Sequence, residues 1–247
     1  QYRIHAGKLS GRGGDVMRFA VVAPLYGDDP SAGCLLKESC RINEIPFFPY
    51  GRGVNWPGFR GGKIIGLIEH LLQVDAEIVL VTDGLDAFVT PSIKKVVGTF
   101  EDRFCGTAIV IAGEKNCFPN PELSEAYPRG FTPYQYVNAG GFMGRREDLL
   151  EALGKLAAFN LEDDQACWTR LFLEEPIVFL LVIDDCCDIF QTMASAYDDL
   201  TIHIPYYGAA GVVENVITRS WPAVIHFNGR TGGIEDWYNT LYGEVTG

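Results

Sequence analysis

Apolar segments of strand length alternate with amphipathic segments of helix length along most of this 247-residue chain. RFAVVAPLY (18–26) and EIVLVTD (77–83) are apolar runs that predict buried strands, and KIIGLIEHLLQ (63–73) carries apolar residues at helical spacing. Strands that alternate with helices favour a largely parallel sheet covered on both faces. The pattern therefore predicts an α/β, Rossmann-like fold with a mixed, mostly parallel sheet and helices on both faces.

Further segments continue this order. They are a helix at 32–44, a short strand at 45–50, a helix that begins at Pro91, strands at 107–113 and 134–144, helices at about 146–159 and 162–174, and a buried strand, IVFLLVI, at 177–183. Neither an internal repeat nor a linker divides the chain. We therefore expect a flexible N-terminal extension at 1–16 and a single domain at 17–247.

Two carboxylates, Asp83 and Asp86, come where the apolar run at 77–83 ends. Ligands of parallel α/β sheets bind at the carboxyl ends of the strands, which is where these acids fall. The structural alternative is a turn cap, because Asp is common in turns. Carboxylate oxygens suit Mg²⁺ or Mn²⁺, and a site with few protein ligands leaves positions for phosphate oxygens. The pair predicts a divalent-cation site for a phosphorylated ligand.

The composition limits the classes of partner. The chain has 20 basic and 32 acidic residues and a net charge of −12, which disfavours binding to a nucleic-acid backbone. An anionic ligand would therefore need a local cation, a helix N-terminus or a few well-placed basic side chains. No apolar stretch reaches the ~20 residues of a membrane span, and the N-terminus lacks the apolar core of a secretory signal. We expect a soluble protein, cytoplasmic by default, of unknown oligomeric state.

Common phosphate-binding and hydrolase motifs do not fit. The stretch GRGVNWPGFRGGKI resembles a P-loop, but Pro57 stands where its first glycine is due and Ile64 replaces its Ser or Thr. The chain has no G-x-G-x-x-G between the first strand and helix and no G-x-S-x-G elbow. Its seven cysteines include no C-x-x-C pair for zinc.

Six short motifs occur in a fixed order: VTDGLD, GEKNCFP, YVNAGGFMG, EDDQACWTRLFL, DIFQ and VIHFNGRT. In their order and spacing, over about residues 18 to 235, the chain resembles the collagen glycosyltransferase domain of the multifunctional procollagen lysyl hydroxylases. This resemblance implies a GT-A-type fold, dependence on Mn²⁺ with Mg²⁺ as the alternative, and UDP-galactose or UDP-glucose as the donor. It also implies the ER lumen, if the chain follows the animal family.

The resemblance assigns a metal site and a nucleotide site. Asp83, Asp86 and His226 match the metal ligands, two carboxylates and one imidazole. The Gly-rich turn after His226 can offer backbone N–H groups to a phosphate. Ordinary loop packing is the alternative for Trp56. The residues expected at the nucleotide and phosphates are Val22, Ala23, Pro24, Trp56, Lys63, Asp83, Gly84, Leu85, Gly229, Arg230 and Thr231.

Asp163 and Asp164 begin a predicted helix, where acids usually act as caps. Their match to the family's Asp-Asp-Gln implies that at least one is catalytic. Such a carboxylate can stabilise an oxocarbenium-like state, accept the acceptor's proton or attack. Asn138, Gly140 and Gly141 are expected at the donor sugar, since glycine allows close backbone approach and an amide can bind a hydroxyl; a bulged strand is the alternative.

Phe118, Ala139 and Phe227 depart from the family, which has Trp, Ser and a small residue at these positions. The departures fall around the donor sugar and the acceptor. We predict a metal-dependent glycosyltransferase that moves galactose or glucose from a UDP-sugar to a hydroxyl, such as hydroxylysine or galactosyl-hydroxylysine of a collagen-like protein. A nucleotidyltransferase and an inactive UDP-sugar-binding module are the alternatives.

Overall fold

The computed structural model describes residues 4–5, 7–10, 16–106, 109–175, 177–205, 210–229 and 232–243. Its strands are β1 (Ile4–His5), β2 (Gly7–Ser10), β3 (Val16–Gly27), β4 (Phe47–Arg52), β5 (Val74–Asp75), β6 (Ile78–Thr82), β7 (Ala87–Val89), β8 (Ile109–Glu114), β9 (Tyr136–Arg145), β10 (Leu181–Asp184), β11 (Phe190–Thr192), β12 (Leu200–His203), β13 (Val212–Asn215) and β14 (Val224–His226). Its α-helices are α1 (Cys34–Ile42), α2 (Gly66–Leu71), α3 (Val96–Phe104), α4 (Arg146–Phe159), α5 (Asp164–Glu174) and α6 (Ile234–Tyr242). A π-helix over Arg60–Ile65 leads into α2, and 3-10 turns occupy Pro91–Lys95, Pro121–Ala126 and Tyr197–Asp199.

A seven-stranded sheet lies at the centre of the fold, in the order β10-β8-β9-β6-β3-β2, with β4 also paired to β3. Strands β4, β3 and β6 are mutually parallel, and β10 is parallel to β8. Strands β9 and β2 are antiparallel to their neighbours. The mixed, mostly parallel sheet expected from the sequence is confirmed. Strand β2 lies within the segment expected as an extension, and the domain boundary near residue 17 stays a prediction.

Helices cover both faces of this sheet. Alternate residues of each strand point to opposite sides, so both faces present apolar side chains for helices to pack against. Ala20 and Val22 of β3 belong to the core that includes apolar residues of α2, α4 and α5. Phe19 and Val21 belong to the core on the other face, with residues of α1 and α3. The two faces are therefore both buried, as expected.

A smaller sheet, in the order β11-β14-β7, positions the end of β14 beside the exit of β6. Strand β14 pairs antiparallel with β7, and this register sets His226 opposite Ala87. The backbone N–H of Phe227 donates to the carbonyl of Asp86 at 2.7 Å. The second sheet therefore brings together segments that are some 140 residues apart in sequence.

The prediction of a buried strand over 177–183 is wrong in its first half. Strand β10 begins only at Leu181, and Ile177 and Val178 are 83% and 70% exposed. Ile177 and Val178 lie in a turn ahead of β10, outside the sheet that would bury them. Among the described helices, none combines the length and the apolar character required to cross a membrane.

Candidate functional site

Asp83, Asp86 and His226 lie together beyond the C-terminal end of β6, an inner strand of the central sheet. Asp83 directly follows β6, Asp86 precedes β7, and His226 ends β14. One ligand atom from each residue lies within 4.8 Å of the other two. Nε2 of His226 is 3.5 Å from Oδ2 of Asp83 and 3.6 Å from Oδ1 of Asp86. The three residues expected as metal ligands are therefore brought together.

The imidazole of His226 is oriented from behind by Asn138, whose Oδ1 lies 3.1 Å from Nδ1. A hydrogen bond at Nδ1 directs the other ring nitrogen toward the carboxylates, as in many metal sites. Within the described residues, Nε2 is buried and makes no hydrogen bond. Burial lowers the pKa of His226, but Asp83 and Asp86 raise it by more, to about 9. A positive species is thus favoured at this atom, and the donor set fits a divalent cation.

Gly140 and Gly141 have different surroundings. A Cβ on Gly140 would overlap the imidazole of His226, with Nδ1 only 2.5 Å away. A Cβ on Gly141 would lie 2.7 Å from the ring of Phe190, in the core. Gly140 therefore makes room for the histidine and lines the cavity described below, whereas Gly141 does not line it.

Lys63 lies on the π-helix and contacts Asp83 of this cluster and also Asp164. Its Nζ is 2.7 Å from Oδ1 and 2.9 Å from Oδ2 of Asp83, and 3.6 Å from Oδ2 of Asp164. Burial lowers the pKa of Lys63, but the two carboxylates raise it by more. Burial likewise raises the pKa of Asp83, and Lys63 and His226 lower it by more. Lys63 and Asp83 therefore form a partly buried, ionised pair.

Two cavities meet at these residues, one of about 650 Å³ and one of about 420 Å³. Both are lined by Phe59, Lys63, Asp83 and Asp86. The larger cavity is also lined by Asn138, Gly140, Asp163, Asp164, His226 and Gly229, all of which the sequence analysis singled out. The cation-ligand cluster therefore lies at the junction of a two-part cleft.

The smaller cavity has mainly apolar and aromatic walls, from Pro24, Tyr26, Trp56, Gly84 and Leu85. Trp56 is 46% exposed, and its ring packs edge-on against Tyr26 with centroids 5.1 Å apart. A flat aromatic face and a partly open space suit a nucleobase.

Val22 and Ala23, expected beside Pro24 at the nucleotide, are fully buried strand residues that line neither cavity. Their side chains pack in the two cores of the sheet. Arg230 and Thr231, expected at a phosphate, lie outside the described residues. Gly229, just before them, does line the larger cavity and has a φ of 76°, which glycine adopts readily.

Asp163 and Asp164 both line the larger cavity but differ in their contacts. Asp163 caps α5, since its Oδ1 accepts from the N–H of Ala166 at 2.8 Å. Asp164 is 8% exposed and faces Lys63. The pKa of Asp164 is raised to about 6, mainly by burial. The positive charge of Lys63 lowers this pKa, and the negative charges of Asp83 and Asp163 raise it further. The capping alternative thus applies to Asp163, and Asp164 is the acid with an unusual environment.

Glu114 is a cavity-lining acid that the sequence analysis missed. It ends β8, is buried, and accepts hydrogen bonds from Nε2 of Gln165 at 2.7 Å and Nδ2 of Asn228 at 2.9 Å. Burial raises the pKa of Glu114 despite these bonds. Its signal in the sequence is the one that identified Asp83, an acid at the exit of an apolar run. The other cavity residues that were not expected are Phe59, Asn116, Gln165, Ala194, Ser195 and Asn228.

Two of the three departures from the family pattern face the larger cavity. Phe118, 61% exposed, and Ala139 line it. Phe227 is fully buried and packs on Phe88, with ring centroids 6.0 Å apart. The expectation that Phe227 lies near the sugar or acceptor is therefore wrong; its side chain belongs to the core around the smaller sheet.

Comparison with known proteins identifies the family. The family model described as "PLOD GT domain" matches residues 34–235. Uncharacterized protein R699 of Acanthamoeba polyphaga mimivirus is 28% identical over 198 residues, which cover 77% of this chain and 41% of that protein. The procollagen-lysine,2-oxoglutarate 5-dioxygenase of Drosophila melanogaster is 26% identical over 203 residues, covering 77% of this chain and 28% of that protein.

The human multifunctional procollagen lysine hydroxylase and glycosyltransferase LH3 is 25% identical over 207 residues, covering 77% of this chain and 28% of that protein. This chain thus spans well under two thirds of the length of each of these relatives. The family match, in contrast, includes most of the chain and all three cation-ligand candidates. This chain therefore belongs to the PLOD GT domain family of glycosyltransferases.

Proposed function

We propose that this chain transfers a hexose, galactose or glucose, from a UDP-sugar to an acceptor hydroxyl, and that it requires Mn²⁺, with Mg²⁺ as the alternative. The observation that carries the proposal is the cluster of Asp83, Asp86 and His226 at the junction of two cavities. Nε2 of His226 is buried there and has no hydrogen-bond partner among the described residues, in an environment that favours positive charge.

The smaller cavity is the proposed uridine site, because Pro24, Tyr26, Trp56 and Leu85 give it an apolar and aromatic wall. The diphosphate would then lie at the junction, where the bound cation neutralises its charge and that of the departing UDP. The turn at Gly229 and the Lys63 ammonium are the proposed protein contacts to phosphate oxygens.

The larger cavity is the proposed site of transfer. The bond between the anomeric carbon and the diphosphate oxygen breaks, a bond to the acceptor oxygen forms, and the hydroxyl proton passes to a base. Asp164 is the better supported of the two proposed catalytic acids, because with a pKa of about 6 it is ionised at neutral pH and placed in the cavity. Asp163 shapes the same wall by capping α5.

A collagen-like acceptor, with hydroxylysine or galactosyl-hydroxylysine as the reacting residue, is part of the proposal. Its support is that relatives carry the names procollagen-lysine dioxygenase and procollagen lysine hydroxylase and glycosyltransferase. Asn116, Phe118 and Ser195 line the larger cavity but not the smaller one, and they form the proposed acceptor side.

The test measures UDP release from a panel of UDP-sugars in the presence of Mn²⁺. A hydroxylysine peptide and its galactosylated form serve as acceptors. We expect release with one preferred sugar, abolished by EDTA and in Asp83→Ala/Asp86→Ala. The matched control, Glu147→Ala/Glu151→Ala, removes two exposed acids of α4 and should leave release unchanged.

Three other results would contradict the proposal. Absence of both UDP binding and release with metal would exclude a UDP-sugar enzyme. Pyrophosphate release in a parallel assay with UTP and a sugar 1-phosphate would indicate a nucleotidyltransferase. Tight UDP binding without release from any sugar would indicate an inactive binding module or an acceptor other than these peptides.

A further inference from the structure

We infer that Lys63 supplies positive charge to the cation-ligand cluster when no metal is bound, and thereby makes metal and donor diphosphate depend on each other for binding. The ammonium competes with the metal for Asp83, and the diphosphate removes this competition by drawing the ammonium to itself. This inference rests on the proposed function and adds to it a coupling between metal binding and donor binding.

The competition follows from the contacts of Lys63. Its Nζ lies within 2.9 Å of both carboxylate oxygens of Asp83, so neither oxygen is without a cationic partner. The side chain of Lys63 is 18% exposed and that of Asp83 is 21% exposed, so water replaces little of this contact. A metal ion that uses either oxygen of Asp83 must therefore displace the ammonium or share the carboxylate with it.

The charges around Lys63 explain why the ammonium is there. Asp83 and Asp164 both contact it, and Asp86 lies on the other side of the cluster, 3.6 Å from His226. Buried carboxylates without a cationic partner are strongly destabilising. Lys63 therefore stabilises these carboxylates in the absence of a metal ion, and an arriving metal ion meets a positive charge already in place.

A diphosphate at the junction of the two cavities changes this balance. Lys63 lines both cavities, as do Asp83 and Asp86, so phosphate oxygens placed there are within reach of its ammonium. Transfer of the ammonium to a phosphate frees Asp83 for the metal. By linkage, the metal must then strengthen binding of the diphosphate by the same factor.

The movement requires only the side chain of Lys63. Its backbone is held in the π-helix, where the neighbouring Gly62 lies against the ring of Trp56 and Ile64 is fully buried. Short π-helical segments often occur at functional sites. The flexible four-carbon stem of lysine can redirect its charge without a backbone change.

The test compares Mn²⁺ binding to the wild type and to Lys63→Met, each with and without UDP. Free Mn²⁺ is measured by electron paramagnetic resonance, with a blank for Mn²⁺ bound by UDP alone. Without UDP, we expect Lys63→Met to bind Mn²⁺ about tenfold more tightly than the wild type. With UDP, we expect Mn²⁺ affinity to rise about tenfold or more in the wild type and clearly less in Lys63→Met.

Lys155→Met is the matched control, because Lys155 pairs with Glu175 at 2.7 Å and lines neither cavity. It should bind Mn²⁺ as the wild type does. Equal or weaker Mn²⁺ binding by Lys63→Met without UDP would overturn the inference. If Lys63→Met does not fold, a wild type whose Mn²⁺ affinity is the same with and without UDP would overturn it.

The failure of the proposed function has a different signature. A wild type that binds no Mn²⁺ in either condition would remove the metal site itself. Suppose instead that the wild type binds Mn²⁺ in the presence of UDP, and that Lys63→Met binds Mn²⁺ no more tightly than the wild type without UDP. This result would leave the metal site intact and refute only the role of Lys63.

Discussion

Gly140 lies against the imidazole of His226, and any side chain there would have to displace the ring or the strand β9. We therefore expect Gly140→Ala to lower Mn²⁺ affinity about tenfold or more, as is typical when a metal ligand loses its support. The matched control is Gly154→Ala in α4, where a Cβ would meet nothing within 4 Å. It should keep Mn²⁺ affinity and gain about 0.5–1 kcal/mol of stability. Unchanged Mn²⁺ binding in Gly140→Ala would refute this packing.

Asp164 is expected to make stability depend on pH. Its pKa rises from 3.8 to about 6 in the folded state, because burial disfavours the charged form. Below about pH 4 the carboxyl is protonated in both states, and its ionisation does not affect the free energy of unfolding. Between about pH 4 and pH 6 the free energy of unfolding falls as the pH rises, and above about pH 6 the loss is constant, at most about 3 kcal/mol. Asp164→Asn removes this cost.

Urea denaturation of wild type and Asp164→Asn, at about pH 4 and about pH 7, measures the effect. The free energy of unfolding of the variant, relative to that of the wild type, should be larger at the higher pH. The same difference at both values would mean that the carboxyl of Asp164 is not perturbed by folding.

Individual site residues differed in how well the sequence could predict them. Asp83 and Asp86 follow from their place at a strand exit, and Glu114 could have been found by the same rule. His226 has no comparable local signal and was found only through the resemblance. Val22 was expected beside the nucleotide, but a strand residue's exposure depends on its neighbours in the sheet, which one sequence does not display.

The loop after β8 is attached to the segment after β11 by a buried polar network. Lys115 pairs with Asp199, which also accepts from the hydroxyl of Tyr134. That hydroxyl in turn accepts from Gln191 at 3.2 Å and Asn215 at 3.1 Å. Because Asn116 and Ser195 of these two segments line the larger cavity, the network holds its proposed acceptor wall.

Tyr134→Phe should lower the free energy of unfolding by about 1–3 kcal/mol, since it leaves buried polar partners without the hydroxyl. Tyr136→Phe is the control, because Tyr136 is only partly buried and its hydroxyl accepts from Gln135. It should change stability by less than about 0.5 kcal/mol. Urea denaturation measures the free energy of unfolding of both variants. Equal values for Tyr134→Phe and Tyr136→Phe would argue against a stabilising role of the network.

Helix and strand types were predicted well where the apolar periodicity was long. The run at 63–73 was expected as one helix, and it forms a π-helix followed by α2. The apolar spacing does not distinguish the two helix types, and the close approach of Gly62 to the ring of Trp56 is visible only in the structure. The run at 177–183 was also misjudged, because residues 177–180 form a turn and the strand begins only at Leu181.

The topology of the whole molecule assembles the site from distant segments. Parallel strands β3 and β6 end at the same edge of the central sheet, and the sheet of β11, β14 and β7 brings His226 to that edge. The sequence predicted the first feature from its alternating pattern. It could not predict the second, because the pairing of β14 with β7 joins short strands far apart in the chain.

The most direct measurement of the central claim is anomalous X-ray diffraction from crystals grown with Mn²⁺ and UDP. We predict one manganese peak between Asp83, Asp86 and His226, in contact with the diphosphate, with the uracil in the cavity lined by Trp56 and Leu85. UDP bound elsewhere, or bound here without manganese at these three residues, would contradict the account.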